Sequence, residues 1–320
     1  MTAPIPDATG VIASSPRSAA RRARPVVLQL AARRPLAFGS LVFLLLVLVV
    51  AVVGPCIAPY DPLSGDLAAS MQGPSWAHLL GTDQLGRDTF SRLLVGTGPT
   101  VLYTSLVVIA ALVVGVLLGM VAGYAGRQAD AVIMALSDIL LSLPGMVMLL
   151  VILTVFQDVM WIAMLCIGVL MSGVLMRVIR ATALSFRQEA FIEAAGVAGL
   201  PQWMVLWRHV LPRISSAVLV QGSMLIGMAL LLVTGAAYLG FGTNPPYPSW
   251  GLMIGDGAQI FGTQPWLMVS AGVVTALTAM SAAMLGEGVR DVTTERWSGQ
   301  RVHRRAPRRP GHRHAAPAPV

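Results

Sequence analysis

A chain of 320 residues that is 56% hydrophobic and only 11% charged, with a mean hydropathy of +0.74, is excluded from the ordinary soluble class, in which about a quarter of residues carry charge. Its formal net charge of +8 is supplied by arginine alone, since the chain has no lysine, and reads as membrane topology and lipid contact before nucleic-acid binding. The missing lysine also excludes a P-loop, so any ATP chemistry belongs to another subunit.

The first 35 residues are rich in Ala, Pro, Ser and Arg, lack apolar periodicity, and predict a mostly disordered cytoplasmic arm with some helix just before the membrane. From Phe38 to Ile57 runs an apolar stretch of about 20 residues, longer than the roughly 7–15 of a secretory signal core, so an uncleaved first transmembrane helix is expected. A lipoprotein signal fails on Pro55, which stands before Cys56 where a small residue is wanted. Cys56 and Cys166 both lie in apolar runs, and neither a disulfide framework nor a metal-ligand spacing is visible.

A polar segment from Pro59 to about Gly98 follows, with Gly81-Thr82-Asp83 and Gly86-Arg87-Asp88 near its centre. Thr82 or Asp83 is placed to cap a short helix through Phe90, Leu93 and Leu94, whose spacing makes one apolar face. Two readings stand for Asp83, Arg87 and Asp88: parts of an interfacial amphipathic helix leading into the next span, or a specific external contact.

Five more apolar spans are expected at about 101–123, 131–156, 159–178, 216–239 and 266–286, each long enough at ~1.5 Å per residue to cross a ~30 Å hydrocarbon core. The fold class is therefore all-α, a polytopic bundle of six transmembrane helices with both termini on one side. Of the 22 arginines only Arg87 and Arg92 fall in segments that parity puts opposite the termini, which places both termini in the cytoplasm.

Asp138 stands in the third span, where a central carboxylate costs ~2.5–3.5 kcal/mol. It is read either as a carboxylate near a helix end that hydrogen-bonds a neighbouring helix, or as part of a substrate path. Pro144 is expected to kink the same helix. Small residues of the fifth span, Gly227, Ala229, Gly235, Ala236 and Ala237, suit close helix packing. After it, prolines and glycines around Asn244 to Gly251 predict an ordered external loop with Tyr247 and Trp250 at the membrane interface. The basic tail from 293 to 320, with His303, His312 and His314, fits anionic lipid headgroups better than a metal.

One polar island interrupts the apolar runs, from Gln188 to Pro212. Arg187 to Val197 reads as a helix with Glu189 and Glu193 one turn apart; Gly199 then allows a turn, and Pro201 restarts a helix that is expected to stop at Leu211-Pro212. By itself this is an amphipathic connector with Trp203 and Trp207 in the headgroups, or a surface read by another protein.

The spacing Glu193-Ala194-Ala195, Gly199 and His209-Val210-Leu211-Pro212 resembles the EAA loop of permeases of ATP-binding-cassette (ABC) importers. The histidine at His209 is similar to the dipeptide, oligopeptide and nickel branch. So are Gly81-Thr82-Asp83 to Gly86-Arg87-Asp88, Leu239-Gly240-Phe241-Gly242 to Trp250-Gly251-Leu252, and Gly286-Glu287-Gly288-Val289-Arg290-Asp291, specifically to its C-type permease subunit. Asp138 and Pro144 also sit where that branch has an Asp and a Pro, and the resemblance covers about residues 36–292.

The resemblance implies a type I ABC importer permease fold in the plasma membrane. Its organisation would be a first helix and external segment at 36–98, a permease domain at 99–292 and a cytoplasmic coupling loop at 187–212. It further implies a second homologous permease, two cytoplasmic ATPase subunits and an extracytoplasmic binding protein as partners, alongside membrane lipid, with no nucleic acid, metal or cofactor. Glu189, Glu193, Ala194, Ala195, Gly199, His209, Leu211 and Pro212 would carry the coupling to ATPase, and Tyr247 and Trp250 contact with the binding protein. Asp138 and Pro144 would serve the path or helix packing. Peptides are the implied substrate, with nickel or another small solute as the alternative, and a secondary transporter as the rival that needs no ATPase.

Overall fold

The computed structural model describes residues 34–187, 201–242 and 246–302. Among these no β-strand forms, and one isolated bridge joins Thr82 to Asp88. The helices are α1 (Pro35–Ile57), α2 (Thr89–Tyr124), α3 (Arg127–Ser142), α4 (Gly145–Val155), α5 (Met160–Arg187), α6 (Leu211–Tyr238), α7 (Trp250–Gln259) and α8 (Trp266–Val302). Five of them, α1, α2, α5, α6 and α8, are each long and apolar enough to cross a membrane, and α3 with α4 is a bent pair that makes a sixth where the two are taken as one span.

Two segments differ from the sequence expectation, each for a local reason. Helix α2 begins at Thr89, about a dozen residues before the expected start at 101, and runs unbroken across the expected boundary at 98. Its cap is Asp88, whose carboxylate accepts from the Ser91 amide at 2.8 Å, rather than Thr82 or Asp83. The third span is not a kinked rod: α3 and α4 meet at 88° across Leu143 and Pro144. Pro144 has no N–H to continue the ladder and holds Leu143 in an extended conformation, so α3 stops and α4 restarts with Pro144 as its N-cap.

Helix α2 is the centre of the bundle. Its glycines Gly115, Gly119 and Gly123 lie on one stripe against α5, and a Cβ at Gly119 would stand 2.8 Å from Ile179 Cβ and from the Met176 carbonyl. This is close packing of small residues at a four-residue repeat, with the two helices parallel, since Gly115, Gly119 and Gly123 meet Leu175, Ile179 and Ala183 in the same order. Around that seam the core divides by depth. Near the chain-terminal side Val116, Met120, Leu175, Ile179, Val210 and Ile214 cluster. At mid-depth Val107, Leu149, Leu153, Met164, Ile167 and Val233 join α2, α4, α5 and α6. On the opposite side Val47, Leu93, Leu230, Trp250, Met253 and Leu267 tie α1, α6, α7 and α8 to the start of α2.

Of the small residues expected to pack, Ala229, Ala236 and Ala237 are buried, and Gly227 faces the Ala279 carbonyl of α8, whereas Gly235 has open space beside it. Leu45, Leu46, Val49 and Val52 on α1 stay exposed, as a lipid-facing helix requires. Residues 58–88, 239–242 and 246–265 form a cap over the side away from the termini. Within it Gly81 and Gly86 adopt positive φ, and at Gly86 a side chain would collide with the Asp66 backbone.

Candidate functional site

The polar island is described only in its second half. Glu189, Glu193, Ala194, Ala195 and Gly199 lie outside the described residues, as do the side chain of His209 and the tail histidines. From Pro201 the chain turns helical, with the Met204 and Val205 amides donating to the Pro201 carbonyl at 3.0 and 3.3 Å. A π-helical turn over Leu206–Val210 follows, in which the Leu211 amide donates to the Leu206 carbonyl.

The helix does not stop at Leu211-Pro212 as expected. Pro212 has no amide to give the carbonyl one turn back, and the wider π turn absorbs that loss, so the chain runs directly into α6. Val205, Val210 and Ile214 are buried, and Val210 and Ile214 pack on Leu175, Ile179 and Ala183 of α5 and Val116 of α2. Trp207 is exposed. The island is therefore framed by α5 entering it and α6 leaving it, two helices locked together at its base.

The motif from Gly81 to Asp88 is a buried clamp. Asp83 accepts from the amides of Leu85 and Arg87 at 2.9 and 3.0 Å, from Arg87 Nε at 2.7 Å, and from Arg92 Nη1. Asp88 accepts from the Ser91 amide and hydroxyl at 2.8 and 2.7 Å and lies 3.0 Å from His78 Nδ1. Arg92 is fully buried, and its Nη2 stands 3.5 Å from Asp256 of α7. Trp250 donates its indole N–H to the Leu93 carbonyl and Thr97 Oγ1 at 3.3 and 3.2 Å, and its amide to Thr100 Oγ1 at 3.2 Å. The Gln264 side-chain amide donates to the Gln72 carbonyl.

These contacts correct the reading of Asp83, Asp88 and Trp250 as external or interfacial contacts. Asp83, Asp88 and Trp250 are 1%, 3% and 1% exposed, because each satisfies backbone or arginine groups that would otherwise be buried without partners. Arg87 is nearly buried beside Asp83, and Tyr247 alone of the five is well exposed. Sequence reasoning missed Arg92, His78, Asp256 and Gln264. An arginine four residues past the Asp88 cap was the available sign, since an arginine inside a helical span needs a partner. Burial pushes the Asp256 carboxyl above the ordinary carboxylate value, with Arg92 and Arg87 opposing the shift.

Asp138 lies on the α3–α5 seam. Its carboxylate accepts from Arg177 Nη2, while Arg177 Nε donates to Ser137 Oγ at 3.2 Å and Ser137 Oγ donates to the Gly173 carbonyl at 2.9 Å. Nearer the terminal side Arg180 makes a two-pronged pair with Asp130. Asp138 thus bonds a neighbouring helix, and Pro144, six residues on, marks the break. Among the described residues no cluster of three or more His, Cys, Asp or Glu is arranged to hold a metal ion.

Comparison with known proteins is consistent along the chain. Residues 115–289 match the family described as binding-protein-dependent transport system inner membrane component, and residues 29–74 match the N-terminal TM domain of oligopeptide transport permease C. The chain is 34% identical to the probable D,D-dipeptide transport system permease protein DdpC of Escherichia coli (strain K12), over 83% of this chain and 89% of that protein. It is 32% identical to the glutathione transport system permease protein GsiD of Pectobacterium atrosepticum, over 81% and 86%. The dipeptide transport system permease protein DppC of Alkalihalophilus pseudofirmus is 29% identical over 81% and 85%. With an all-helical membrane bundle, a family match across α2 to α8 and relatives aligned over most of both chains, this protein belongs to the binding-protein-dependent transport system inner membrane components, the permeases of ABC transporters.

Proposed function

We propose that the chain is the permease subunit of an ATP-driven peptide importer, forming half of the path and taking its power stroke through the loop at 187–212. The family and its dipeptide and glutathione relatives support the transport class and the peptide substrate. They do not favour a nickel importer or a secondary transporter. The structural observation that carries the coupling is the framing of the island by α5 and α6, locked at Val210, Ile214, Leu175 and Ile179. A loop held this way transmits a push as a rigid lever instead of absorbing it.

The arginine asymmetry supports a cytoplasmic position for that loop and both termini, with the loop docked in a groove on one of two ATPase subunits. ATP hydrolysis takes place on those subunits, and this chain contributes transport alone. A second homologous permease completes the path, and an extracytoplasmic binding protein delivers peptide to the cap, with Tyr247 as a contact. The basic tail at 293–320 binds anionic lipid headgroups. Glu193 and Gly199 are the residues on which ATPase docking depends. Gly199→Leu or Glu193→Lys is expected to leave the chain inserted in the membrane but reduce ATPase co-purification at least tenfold. Normal co-purification with normal substrate-stimulated hydrolysis in both variants would sink the coupling assignment.

A further inference from the structure

Among the described residues, charges within the spans concentrate at the helix ends, and one ion pair departs from that pattern. Asp138–Arg177 lies further from the terminal side than Asp130–Arg180 on the same seam. Its level is set by Gly119, which faces Met176 and Ile179 and stands about 7 Å inside the end of α2 at Tyr124. Asp138 and Arg177 are 67% and 49% exposed, against 24% and 31% for Asp130 and Arg180. Charged side chains this exposed inside the end of a span are better served by water than by hydrocarbon, which disfavours the charged form of each.

A second, independent feature occupies the same flank. The backbone breaks one turn after Asp138, and Leu141, Ser142, Pro144, Gly145, Met146 and Val147 are all exposed around the break. Irregular backbone at membrane depth is tolerated where it lines water or is buried in protein, never against hydrocarbon. Next to the break lies a cavity of about 180 Å³ lined by Leu140, Leu143, Gly145, Met148, Leu170 and Met171. Its two methionines are adaptable enough to receive side chains of differing shape.

Resting on the peptide-importer reading, we propose that the Asp138–Arg177 pair and the adjoining cavity form a transit site for short zwitterionic peptides inside the path. Arg177 takes the peptide carboxylate in place of Asp138, and Asp138 takes the terminal ammonium. The methionine-lined cavity holds an apolar side chain without selecting it closely. Such a site recognises what all short peptides share, their two ends, and tolerates what differs. When the peptide leaves, the two side chains pair again, so neither charge is left bare in the membrane. Arg177 stays in place during exchange because Ser137, itself anchored to the Gly173 carbonyl, holds its Nε.

The test uses the full importer, with both permeases, the ATPases and the binding protein, in nanodiscs. In a background carrying Cys56→Ala and Cys166→Ala, Asp138→Cys is treated with a charged, membrane-impermeant thiosulfonate. Modification at least tenfold faster than background is expected, and in Ser142→Cys, which keeps the ion pair, it is slowed at least threefold when saturating dipeptide is delivered during turnover. Ser142→Cys, exposed on the same flank but outside the ion pair, gives the same reading should Asp138→Cys not assemble. With the native cysteines, Asp138→Asn and Arg177→Gln are each expected to lower dipeptide uptake at least tenfold and to raise the ATP consumed per peptide. Modification no faster than background at both cysteines overturns the proposal, because the flank is then covered by lipid or by the second permease. Full uptake in both charge-removing variants overturns it too, since the pair then lines water without touching peptide. If the unsubstituted importer moves no dipeptide while the cysteines are modified, the peptide reading fails and the water-lined flank stands.

Discussion

Arg92 shows how much of the cap depends on single side chains. It is wholly buried, and two of its nitrogens have no hydrogen-bond partner, so its charge is held mainly by Asp83 and, at 3.5 Å, by Asp256. Removing one partner of such a pair leaves a buried charge uncompensated, which costs about 3–5 kcal/mol. Asp83→Ala should therefore lower the thermal unfolding midpoint of the detergent-solubilised complex sharply. Asp66→Ala, which removes only an exposed cap on one short turn, should cost about 1 kcal/mol or less. Equal midpoints for the two variants would remove the clamp from the account.

The Asp256 carboxyl makes a pH prediction at the same place. Its folded value is raised by burial, so the stability it contributes is fully present below the ordinary carboxylate value and is lost as pH rises through the raised one. In Asp256→Asn the fall in unfolding midpoint between pH 4 and pH 7 should be smaller than in the unsubstituted protein. An unchanged slope would show that another group is responsible.

Among the elements, α2 and α5 depend on contact at backbone distance. Gly119→Val would drive a branched side chain into Ile179 and the Met176 carbonyl, both 2.8 Å from the position of a Cβ, and overpacking of this kind costs about 1–3 kcal/mol. Gly235→Ala, with open space beside it, should be nearly neutral in the same unfolding measurement. The contrast explains what could be read from the sequence. Apolar runs announced α1, α5, α6 and α8 because lipid-facing helices must be apolar along their length. The four-residue repeat of Gly115, Gly119 and Gly123 is a packing signal that the sequence reading passed over, and only the structure names its partner. The early start of α2 was hidden, because Asp83, Asp88 and Arg92 look solvated in sequence and are buried through mutual satisfaction. The right-angle break at Pro144 was legible as a kink alone, since proline fixes where a ladder stops and not the direction in which the next helix leaves.

For the whole molecule, the division of the core by depth separates stability from coupling. The cluster around Val210 and Ile214 joins the base of the proposed coupling loop to α2 and α5, whereas the cluster around Leu267 and Trp250 holds the cap to α1, α7 and α8. Ile214→Ala and Leu267→Ala both open cavities at fully buried sites, and each should cost about 2–5 kcal/mol. Their unfolding midpoints are thus expected to fall by comparable amounts. A lever works only if its base does not yield, so slack at Ile214 should let the loop move without carrying α5 and α6. In the reconstituted importer Ile214→Ala should raise the ATP hydrolysed per peptide imported at least threefold, while Leu267→Ala, equally destabilised but remote from the loop, should leave that ratio within about a factor of 1.5. A rise of the same size in both variants would mean that coupling tracks overall stability, and the base of the loop would lose its special role.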